Sequence, residues 1–371
     1  MSQNQLKAAK QFDMPLIAAS LALVIIGLVT IYDASVVSAF RDFGDKFYYF
    51  KNQLLWALLG LISLVFFNFF NYHKLLKASL FLLPICSLLL IAVLIPGVGD
   101  QIYGARRWIS VGSFNFQPSE ITKLALIFYL ANIISKFENF KIRTSDAAIV
   151  YFLPIFVVTV LVLVEPDLGT SMIYVAIALV IYFVGRAPLW HFALSLPFII
   201  TGVVAAIVTK PYRLERLRSF IDPSYDPQGA SYQINQILTA LAQGGLTGVG
   251  IGASRAKFAF IPEVHSDSIF AIFIEELGLV GALFLMAIFL FLIQRAITIA
   301  QSSRDFQGKV LAIGLAALLA SQFVFNLASI VALIPLTGVP LPFISYGGSS
   351  LLVTMTAIGI LANIKRSNEN D

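Results

Sequence analysis

Long apolar runs alternate with short polar segments along nearly the whole 371-residue chain. Ten of these runs approach the ~20 residues that an α-helix needs to cross a bilayer. They lie at residues 14–32, 53–70, 77–95, 119–135, 147–164, 170–185, 189–209, 268–293, 310–333 and 343–364. Only residues 165–169 separate the fifth and sixth runs, so a merged or re-entrant pair is the alternative there. The pattern predicts an all-α polytopic membrane protein of about ten transmembrane helices, folded as a single domain over residues 1–371.

The composition supports a membrane protein. Hydrophobic residues make up 58% of the chain and charged residues only 12%, with a mean hydropathy of +0.87. Soluble domains carry about 25% charged residues. The single cysteine, Cys86, lies in an apolar run, which excludes a disulfide framework and a thiolate zinc cluster. The first run is too long for a signal-peptide core and lacks a small-residue cleavage pattern, so we expect it to be retained.

Lysine and arginine indicate the orientation of the chain. In one set of alternate connecting segments every segment carries lysine or arginine, including the tails at residues 1–13 and 365–371. Short segments with these cations stay in the cytoplasm, so both termini are expected there. The long segment 210–267, between the seventh and eighth runs, is then external. Its cations do not contradict this orientation, because long loops are translocated largely regardless of charge.

The external segment 210–267 combines clustered cations with a glycine-rich stretch. A single arginine or lysine at a membrane surface often contacts only lipid head groups. As a group, Arg213, Arg218 and Lys257 suggest an anionic ligand. The glycines between residues 244 and 252 allow close backbone approach but lack the strand and helix of a phosphate-binding fingerprint. We expect part of this segment to be re-entrant or interfacial and to line a cavity.

Ionisable residues concentrate at the start of the eighth run, in the stretch IPEVHSDSIFAIFIEELG. Asp267 is either a helix N-cap or a general base, and Ser266 and Ser268 could cap the helix equally well. Glu275 and Glu276 lie ~12 to 13.5 Å further along a helix, too far to form an acid–base dyad with Asp267. We expect these glutamates to hold the helix against its neighbours. A lone base suits transfer from a diphosphate, whose departure needs no acid.

A second polar group opens the fourth run, in the stretch GARRWISVGSFNFQPSEITK. Glu120 and Lys123 are three residues apart on one helical face, a spacing that allows an ion pair. Such a pair either orients the helix or belongs to a substrate cavity, and the spacing leaves both open. Arg106, two residues before Trp108, would anchor the protein at the interface or grip a phosphate. The stretch PLPFISYGGSS marks a broken entry to the last run.

Together these motifs resemble the SEDS family (shape, elongation, division and sporulation). The stretches GARRW, QPSE with a lysine three residues later, EPDLGT, PEVHSD, EELGLVG and PLPFISYGGSS occur in the family's order over about residues 14–364. The stretches EPDLGT and PLPFISYGGSS resemble the FtsW branch slightly more than the RodA and SpoVE branches. The resemblance implies a peptidoglycan glycosyltransferase that polymerises lipid II at the outer face of the bacterial cytoplasmic membrane.

The resemblance also implies roles for single residues. Asp267 matches the catalytic aspartate of the family's PE-x-H-[ST]-D motif, and Ser268 stands where the family commonly has phenylalanine. The Ser268 hydroxyl is expected to hydrogen-bond Asp267 or a ligand. From the motifs and the external charges together, the expected substrate-binding residues are Arg106, Glu120, Lys123, Arg213, Arg218, Lys257, Glu263, His265 and Ser268.

The implied reaction inverts the donor sugar. Asp267 would take the proton of the acceptor's GlcNAc 4-hydroxyl, which attacks the lipid-linked donor and expels undecaprenyl diphosphate. External cations, with or without a divalent ion such as Mg²⁺ or Mn²⁺, would stabilise the leaving group, and no organic cofactor is expected.

The implied partners are lipid II, a class B penicillin-binding protein with transpeptidase activity, and other membrane proteins of the division or elongation machinery. Nucleic acid is not expected. A lipid II flippase and a noncatalytic scaffold for the transpeptidase are the alternatives. The external placement of nearly all the polar motifs favours chemistry there, because a flippase should show comparable binding features on both sides of the membrane.

Overall fold

The computed structural model describes residues 13–102, 105–112, 114–136, 147–186, 188–258 and 265–370. Its helices are α1 (Met14–Phe43), α2 (Tyr48–Phe69), α3 (Tyr72–Leu94), α4 (Pro118–Lys136), α5 (Leu153–Val164), α6 (Leu168–Val184), α7 (Leu189–Val208), α8 (Pro211–Ile221), α9 (Tyr232–Gly244), α10 (Ile269–Gln301), α11 (Phe306–Ile330) and α12 (Gly348–Asn370). A π-helical turn, Ala147–Phe152, leads into α5. Each predicted apolar run is helical, and α5 and α6 are separate helices, so the prediction of a polytopic, predominantly helical fold is confirmed.

Within the described residues, seven helices are long and apolar enough to cross a membrane: α1, α2, α3, α7, α10, α11 and α12. The apolar helices around α5 and α6 are shorter. Helix α4 carries the charged residues Glu120, Lys123 and Lys136. The longest helices exceed the ~30 Å hydrocarbon core, since 30 residues in α1 and 33 in α10 correspond to ~45 and ~50 Å.

The connections between helices alternate between the two ends of the bundle. One end, called the site end below, gathers the α1–α2 corner, the α5–α6 turn, the α7–α10 connection and the α11–α12 connection. Contacts between these segments join them, such as the hydrogen bond from the Tyr346 amide to the His265 carbonyl. At the opposite end, Asp13 caps α1 and pairs with Arg295 of α10 at 2.9 Å.

A small antiparallel sheet lies at the site end between α3 and α4. Its strands are β1 (Asp100–Ile102), β2 (Ala105–Val111) and β3 (Phe114–Phe116), in the order β1-β2-β3. The register pairs Ser110 with Asn115 and Ile109 with Phe116. The apolar pattern did not predict this sheet, because two of its strands have only three residues. The sheet places Arg106 and Arg107 on one rigid ribbon in front of α4.

Helix α10 is interrupted at Gly278, where φ is 65° and ψ is −167°. The segment that follows α9 fills this break. Amides of residues 249–250 donate to the carbonyls of residues 275–276 at 2.9 and 3.1 Å. In return, amides of residues 279–280 donate to the carbonyls of residues 245–246 at 3.0 and 3.1 Å. Irregular backbone in an apolar bundle needs such partners, so the backbone hydrogen bonds of the glycine-rich segment stabilise the break in α10.

Two glycines make this approach possible: Gly248, one of those that the sequence predicted for a close approach, and Gly278, which it did not. A Cβ atom on Gly278 would lie 2.5 Å from the carbonyl oxygen of Leu246, and one on Gly248 would overlap the carbonyl oxygen of Glu276. Both glycines also have φ in the left-handed region, at 65° and 80°. The close packing therefore requires glycine on both segments.

Candidate active site

Asp267 lies in the turn just before α10, which begins at Ile269. The N-cap residue is Ser268, whose side chain forms no capping hydrogen bond, and among the described residues no hydrogen bond joins an amide of α10 to the Asp267 carboxylate. The Asp267 carboxylate is therefore not used as a helix cap, which was the structural alternative left open by the sequence. Its Oδ1 atom accepts hydrogen bonds of 3.4 Å from the hydroxyls of Ser266 and Ser268. The expected contact from Ser268 to Asp267 is thus present.

Two further elements fix the backbone around Asp267. On α11, the amide nitrogen of Asn326 donates to the carbonyl oxygens of Asp267 and Val339, both at 2.8 Å. A Cβ atom on Gly338 would lie 3.7 Å from Asp267 Oδ2, so this loop faces the carboxylate closely. From α9, Gln233 Nε2 donates to the Ser268 hydroxyl at 3.2 Å. The carboxylate thus stands in a frame built from α9, α10, α11 and the α11–α12 connection.

The surroundings of Asp267 favour a carboxylate that accepts a proton readily. Protein atoms crowd around the carboxyl group although the residue keeps part of its surface accessible. This burial raises the pKa of Asp267 above its ordinary value, while the positive charge of Arg216 acts in the opposite direction. Arg216 is exposed and donates to the carbonyl oxygen of Leu336 at 3.2 Å. The site therefore places one partly shielded base beside one accessible cation.

Two tyrosine rings that also contact each other pack against His265, two residues before Asp267. Its ring centroid lies 4.1 Å from that of Tyr49 and 5.5 Å from that of Tyr346. Burial lowers the pKa of His265 to about 4, and the charge of Asp42 opposes this shift. The imidazole is neutral at pH 7 and contributes no positive charge for a diphosphate. Glu263, also expected to bind substrate, lies outside the described residues.

The predicted pair of Glu120 and Lys123 is formed in α4. Lys123 Nζ and Glu120 Oε1 are 2.6 Å apart, and the side chains are 0% and 3% exposed. Within the part of the chain that the structure describes, the second carboxylate oxygen of Glu120 and the hydroxyl of Ser119 have no hydrogen-bond partner. A buried ion pair costs desolvation that only good geometry and further hydrogen bonds offset. Free polar atoms beside this pair mark a polar patch inside the bundle at the start of α4.

The α5–α6 turn contributes two carboxylates with different environments. Asp167 caps α6, accepting from the amide and the hydroxyl of Thr170, both at 2.9 Å. Glu165 is fully buried, and both of its carboxylate oxygens lack a hydrogen-bond partner among the described residues. Burial, and secondarily the charge of Asp167, raises the pKa of Glu165 to about 9. Arg107 does not neutralise it, since Nε donates to the Glu165 carbonyl oxygen at 2.8 Å and Nη2 to that of Pro166.

The α5–α6 turn and Asp267 both lie close to the α11–α12 connection. A Cβ atom on Gly169 would lie 2.7 Å from the carbonyl oxygen of Thr337, next to Gly338. Gln117, just before α4, donates from its side-chain amide to Asp167 at 3.4 Å and from its backbone N–H to the Ser349 hydroxyl at 3.0 Å. The motifs that are separated in the sequence therefore meet at the site end.

Two cations expected to bind substrate have other partners. All three nitrogens of the Arg213 guanidinium donate within the protein: Nη1 to Ala206 O at 2.8 Å, Nη2 to Leu163 O at 3.3 Å and Nε to the Tyr212 hydroxyl at 2.8 Å. This side chain ties α8 to the ends of α5 and α7. The structure therefore gives Arg213 a structural role in place of the expected one, because a guanidinium bound to buried carbonyl groups is not presented to a ligand.

Lys257 is the second of these cations. Its Nζ lies 2.9 and 3.1 Å from the two carboxylate oxygens of Asp33 and 3.1 Å from Glu276. These contacts use its three donors, and the residue is only 5% exposed. The lysine thus links α1 to α10 and does not face a ligand.

The two glutamates of α10 hold the segment before the site. Glu275 accepts from the Ser254 hydroxyl at 2.5 Å and from the amide of Arg255 at 2.9 Å. Glu276 accepts from the amide of Ser254 at 3.2 Å in addition to its contact with Lys257. This agrees with the expectation that both glutamates hold the helix against its neighbours.

The remaining predicted cations are accessible. Arg218 is exposed and stacks over the ring of Tyr225, with its guanidinium carbon 5.9 Å from the ring centroid. Arg106 is half-buried in β2, opposite Gln101 of β1. Both can turn towards a ligand at the site end, unlike Arg213.

The described residues do not form a metal site of their own. Within them, no three His, Cys, Asp or Glu side chains come close enough to hold an ion. Mg²⁺ binds readily through one or two carboxylates together with substrate phosphates. A divalent cation at Asp267 would therefore depend on oxygen atoms of the substrate.

Neither Arg216 nor Asn326 was predicted from the sequence as a residue of the site. Arg216 lies between Arg213 and Arg218 in the same basic helix, and only its position near Asp267 distinguishes it. Asn326 carried a usable signal, since it is a polar residue in the middle of an apolar run. Polar side chains at such positions commonly have a specific partner.

Comparison with known proteins gives consistent matches along the chain. A family model described as cell cycle protein, FtsW/RodA/SpoVE, matches residues 14–370. Stage V sporulation protein E of Bacillus subtilis is 40% identical over 355 residues, which cover 95% of this chain and 97% of that protein. The probable peptidoglycan glycosyltransferase FtsW of Trichlorobacter lovleyi is 38% identical over 358 residues, which cover 95% and 93%.

Solved structures match over a similar extent. A chain from a peptidoglycan synthase complex that coordinates polymerization and crosslinking superimposes with a TM-score of 0.79 at 28% identity, covering 97% of this chain and 99% of that chain. The rod shape determining protein RodA of Thermus thermophilus superimposes with a TM-score of 0.71 at 26% identity, covering 97% and 98%.

Proposed function

This chain belongs to the FtsW/RodA/SpoVE family of cell cycle proteins, and from that membership we propose that it is a peptidoglycan glycosyltransferase that polymerises lipid II for cell division or cell shape. The observation that carries the proposal is the setting of Asp267. Its carboxylate neither caps α10 nor forms an ion pair with any described residue. A positioned carboxylate without a structural task suits a general base. Relatives that carry the name peptidoglycan glycosyltransferase support the same reaction class.

In the proposed reaction, Asp267 takes the proton from the 4-hydroxyl of the acceptor GlcNAc. The hydroxyl oxygen attacks the anomeric carbon of the donor as the bond to the diphosphate breaks, so the configuration at that carbon inverts. The electron pair leaves with undecaprenyl diphosphate, whose existing charge makes a general acid unnecessary. Asn326 and the Ser268 hydroxyl hold the base in place, which preserves its alignment with the acceptor.

The departing diphosphate requires positive charge near the base. Arg216 is the accessible cation proposed for this role, because its charge acts on Asp267. Arg218 on the same helix and Arg106 on the sheet would add charge further out. A divalent cation, if bound, would supply Lewis-acid stabilisation of the leaving diphosphate. The proposed proton transfer and attack depend only on Asp267 and the two substrates.

The proposed placement is the bacterial cytoplasmic membrane, with both termini in the cytoplasm and the site end facing outside. The lysine and arginine residues of the opposite end support this orientation. A class B penicillin-binding protein is the proposed partner, because transpeptidation uses the glycan strands that this reaction makes. The likeness to a synthase complex that couples polymerization to crosslinking supports such a partner.

Purified protein in detergent tests the function directly. Incubation with labelled lipid II should give ladders of glycan strands, and Asp267→Asn should abolish them while leaving the thermal unfolding midpoint unchanged. Detergent removes the two sides of the membrane, so a flippase would give no ladder under these conditions. Ladders made equally well by folded Asp267→Asn protein would refute the assignment of the base.

A further inference from the structure

Aromatic rings run in contact from an exposed corner of the bundle to the candidate site. At the α1–α2 corner, Phe43 stacks on Tyr48 with ring centroids 3.7 Å apart and planes within 8°. Tyr49 meets both rings edge-on, at 5.8 Å and 5.4 Å. Its other ring neighbours are His265, at 4.1 Å, and Tyr346, at 5.1 Å. We call the first four of these residues the aromatic path, and it ends two residues from Asp267.

The outer end of the aromatic path is accessible. Phe43 is 49% exposed although one face of its ring is covered by Tyr48. Tyr48, Tyr49 and His265 are all half-buried, so Phe43 is the exposed end of the path. Rings that served only to fill the core would be buried at both ends. The path instead offers an open aromatic surface that leads to the proposed base.

Exposed charges surround this surface. Arg41 pairs with Asp42 at 2.7 Å, and Lys51 pairs with Asp45 at 2.7 Å, all four in side chains that are at least 41% exposed. Fully hydrated ion pairs of this kind are not found in the hydrocarbon of a bilayer.

A membrane-interface belt is the other explanation for exposed aromatic residues. Helix α1 is 30 residues long, so its last turn lies well beyond the ~30 Å that the hydrocarbon core spans. A belt also needs no contact between its rings and a site. The ring contacts of Phe43 continue to His265, whereas Phe40, three residues earlier and 65% exposed, has no ring contact among the described residues.

Sugars match a surface of this composition. One face of a pyranose ring presents C–H groups that pack on an aromatic ring, while the hydroxyl groups at its edge hydrogen-bond to charged side chains. Phe43 and Tyr48 offer the ring faces, and Asp42 and Asp45 offer acceptors beside them. A polymerase that keeps its product bound between additions needs such a surface next to its reaction centre.

We propose that the aromatic path is a sugar-binding subsite on which the growing glycan strand lies, with its pyranose rings stacked on Phe43 and Tyr48. This proposal rests on the proposed glycosyltransferase function. The subsite would hold the strand between additions, so its loss should shorten the product without stopping the reaction.

Product length tests the subsite with a matched pair of variants. Phe43→Leu keeps an apolar side chain but removes the ring face, and Phe40→Leu makes the same change outside the path. With labelled lipid II, Phe43→Leu should shorten the median strand by about threefold or more, as expected for the loss of an aromatic contact. The strands made by Phe40→Leu should match those of wild type in length. Wild-type strands from Phe43→Leu, or equal shortening by both variants, would overturn the subsite.

A binding measurement separates this proposal from the proposed reaction. The probe is a soluble oligosaccharide of alternating GlcNAc and N-acetylmuramic acid, titrated into full-length Asp267→Asn protein in detergent and followed by saturation-transfer NMR. Phe43→Leu in that background should weaken binding about fivefold, and Phe40→Leu should not. If wild-type protein forms no glycan, the proposed function fails, while this titration still decides the subsite. Phe43→Trp, which keeps a ring, should restore both binding and strand length, and its failure to do so would count against stacking.

Discussion

The side-chain amide of Asn326 donates a 2.8 Å hydrogen bond to the carbonyl oxygen of Asp267 and another of 2.8 Å to that of Val339. One residue of α11 thus fixes both the turn that carries the proposed base and the loop that faces it. The contact leaves the carboxylate itself free. Asn326 is therefore a positioning residue whose effect should appear in the rate of the reaction and not in the affinity for substrate.

Asn326→Leu tests this positioning role. It keeps the approximate size of the side chain but leaves two carbonyl oxygens unpaired, so the turn at Asp267 should loosen. We expect kcat to fall by about tenfold or more with little change in KM, because misplacement of a catalytic group slows only the chemical step. The measurement is the initial rate of lipid II polymerisation against lipid II concentration.

Gln322→Leu is the control for Asn326→Leu. Gln322 lies one turn earlier on α11, is 1% exposed, and neither polar atom of its side chain has a hydrogen-bond partner among the residues that the structure describes. Its replacement by an apolar residue should leave activity unchanged and stability equal or higher. An Asn326→Leu protein with wild-type kcat, or equal losses in both variants, would contradict the positioning role.

Arg216 should set the pH dependence of the reaction. The base works only when Asp267 is deprotonated, so activity should rise with pH through the pKa of this group. The positive charge of Arg216 lowers the pKa of Asp267. Because Arg216→Gln removes this charge, the pKa should rise and the acidic limb of the pH profile should move to higher pH. Profiles of kcat/KM against pH measure the shift. Arg218→Gln removes an exposed charge from the same helix and should leave the limb in place; a profile unchanged by Arg216→Gln would show that the two groups are not coupled.

Lys257 should matter for stability, because it is the counterion of two carboxylates. Lys257→Met would leave Asp33 and Glu276 without their cation, and breaking a buried pair in this way costs about 3 to 5 kcal/mol. The midpoint of thermal unfolding in detergent should fall markedly. Adding Asp33→Asn and Glu276→Gln to the same chain removes the unpaired charges and should recover most of the loss. A single variant as stable as wild type would mean that the lysine is not needed as a counterion.

Glu165 should make stability depend on pH. Its pKa is about 9 in the folded protein against an ordinary value of 4.5, so between these pH values the folded state holds a proton that the unfolded state has lost. Stability therefore falls as pH rises through this window. Glu165→Gln cannot ionise, and the difference in unfolding midpoint between it and wild type should grow from pH 5 to pH 9 in favour of the variant. Parallel midpoints across this range would argue against a buried neutral carboxyl group.

The break in α10 should tolerate no side chain. Gly278→Ala introduces a Cβ atom 2.5 Å from the Leu246 carbonyl oxygen at φ 65°, and the strained backbone alone costs about 1 to 3 kcal/mol. Unfolding in detergent should report the loss. Gly202→Ala in α7 is the matched change, since no atom lies within 4 Å of its Cβ position, and it should be neutral or stabilise by about 0.5 to 1 kcal/mol. Equal effects of the two substitutions would contradict the close backbone packing at Gly278.

The sequence alone determined the helical framework and the proposed base. Apolar runs of membrane length are a local property, so each could be found without knowing its neighbours, and all of them are helical. Helical spacing by itself also shows that Asp267 is too far from Glu275 and Glu276 to form a dyad with either. The glycines between residues 244 and 252 indicated a close backbone approach, which the break in α10 shows.

Only the tertiary structure decided which polar groups are available to a ligand. Arg213 and Lys257 have the same charge as Arg216 and Arg218, but the first two are bound to buried carbonyl or carboxylate groups. The partner of Lys257 on α1 is 224 residues away, and Asn326 is 59 residues from Asp267. Whether a donor is satisfied depends on such distant partners, and hydrophobic periodicity carries no record of them.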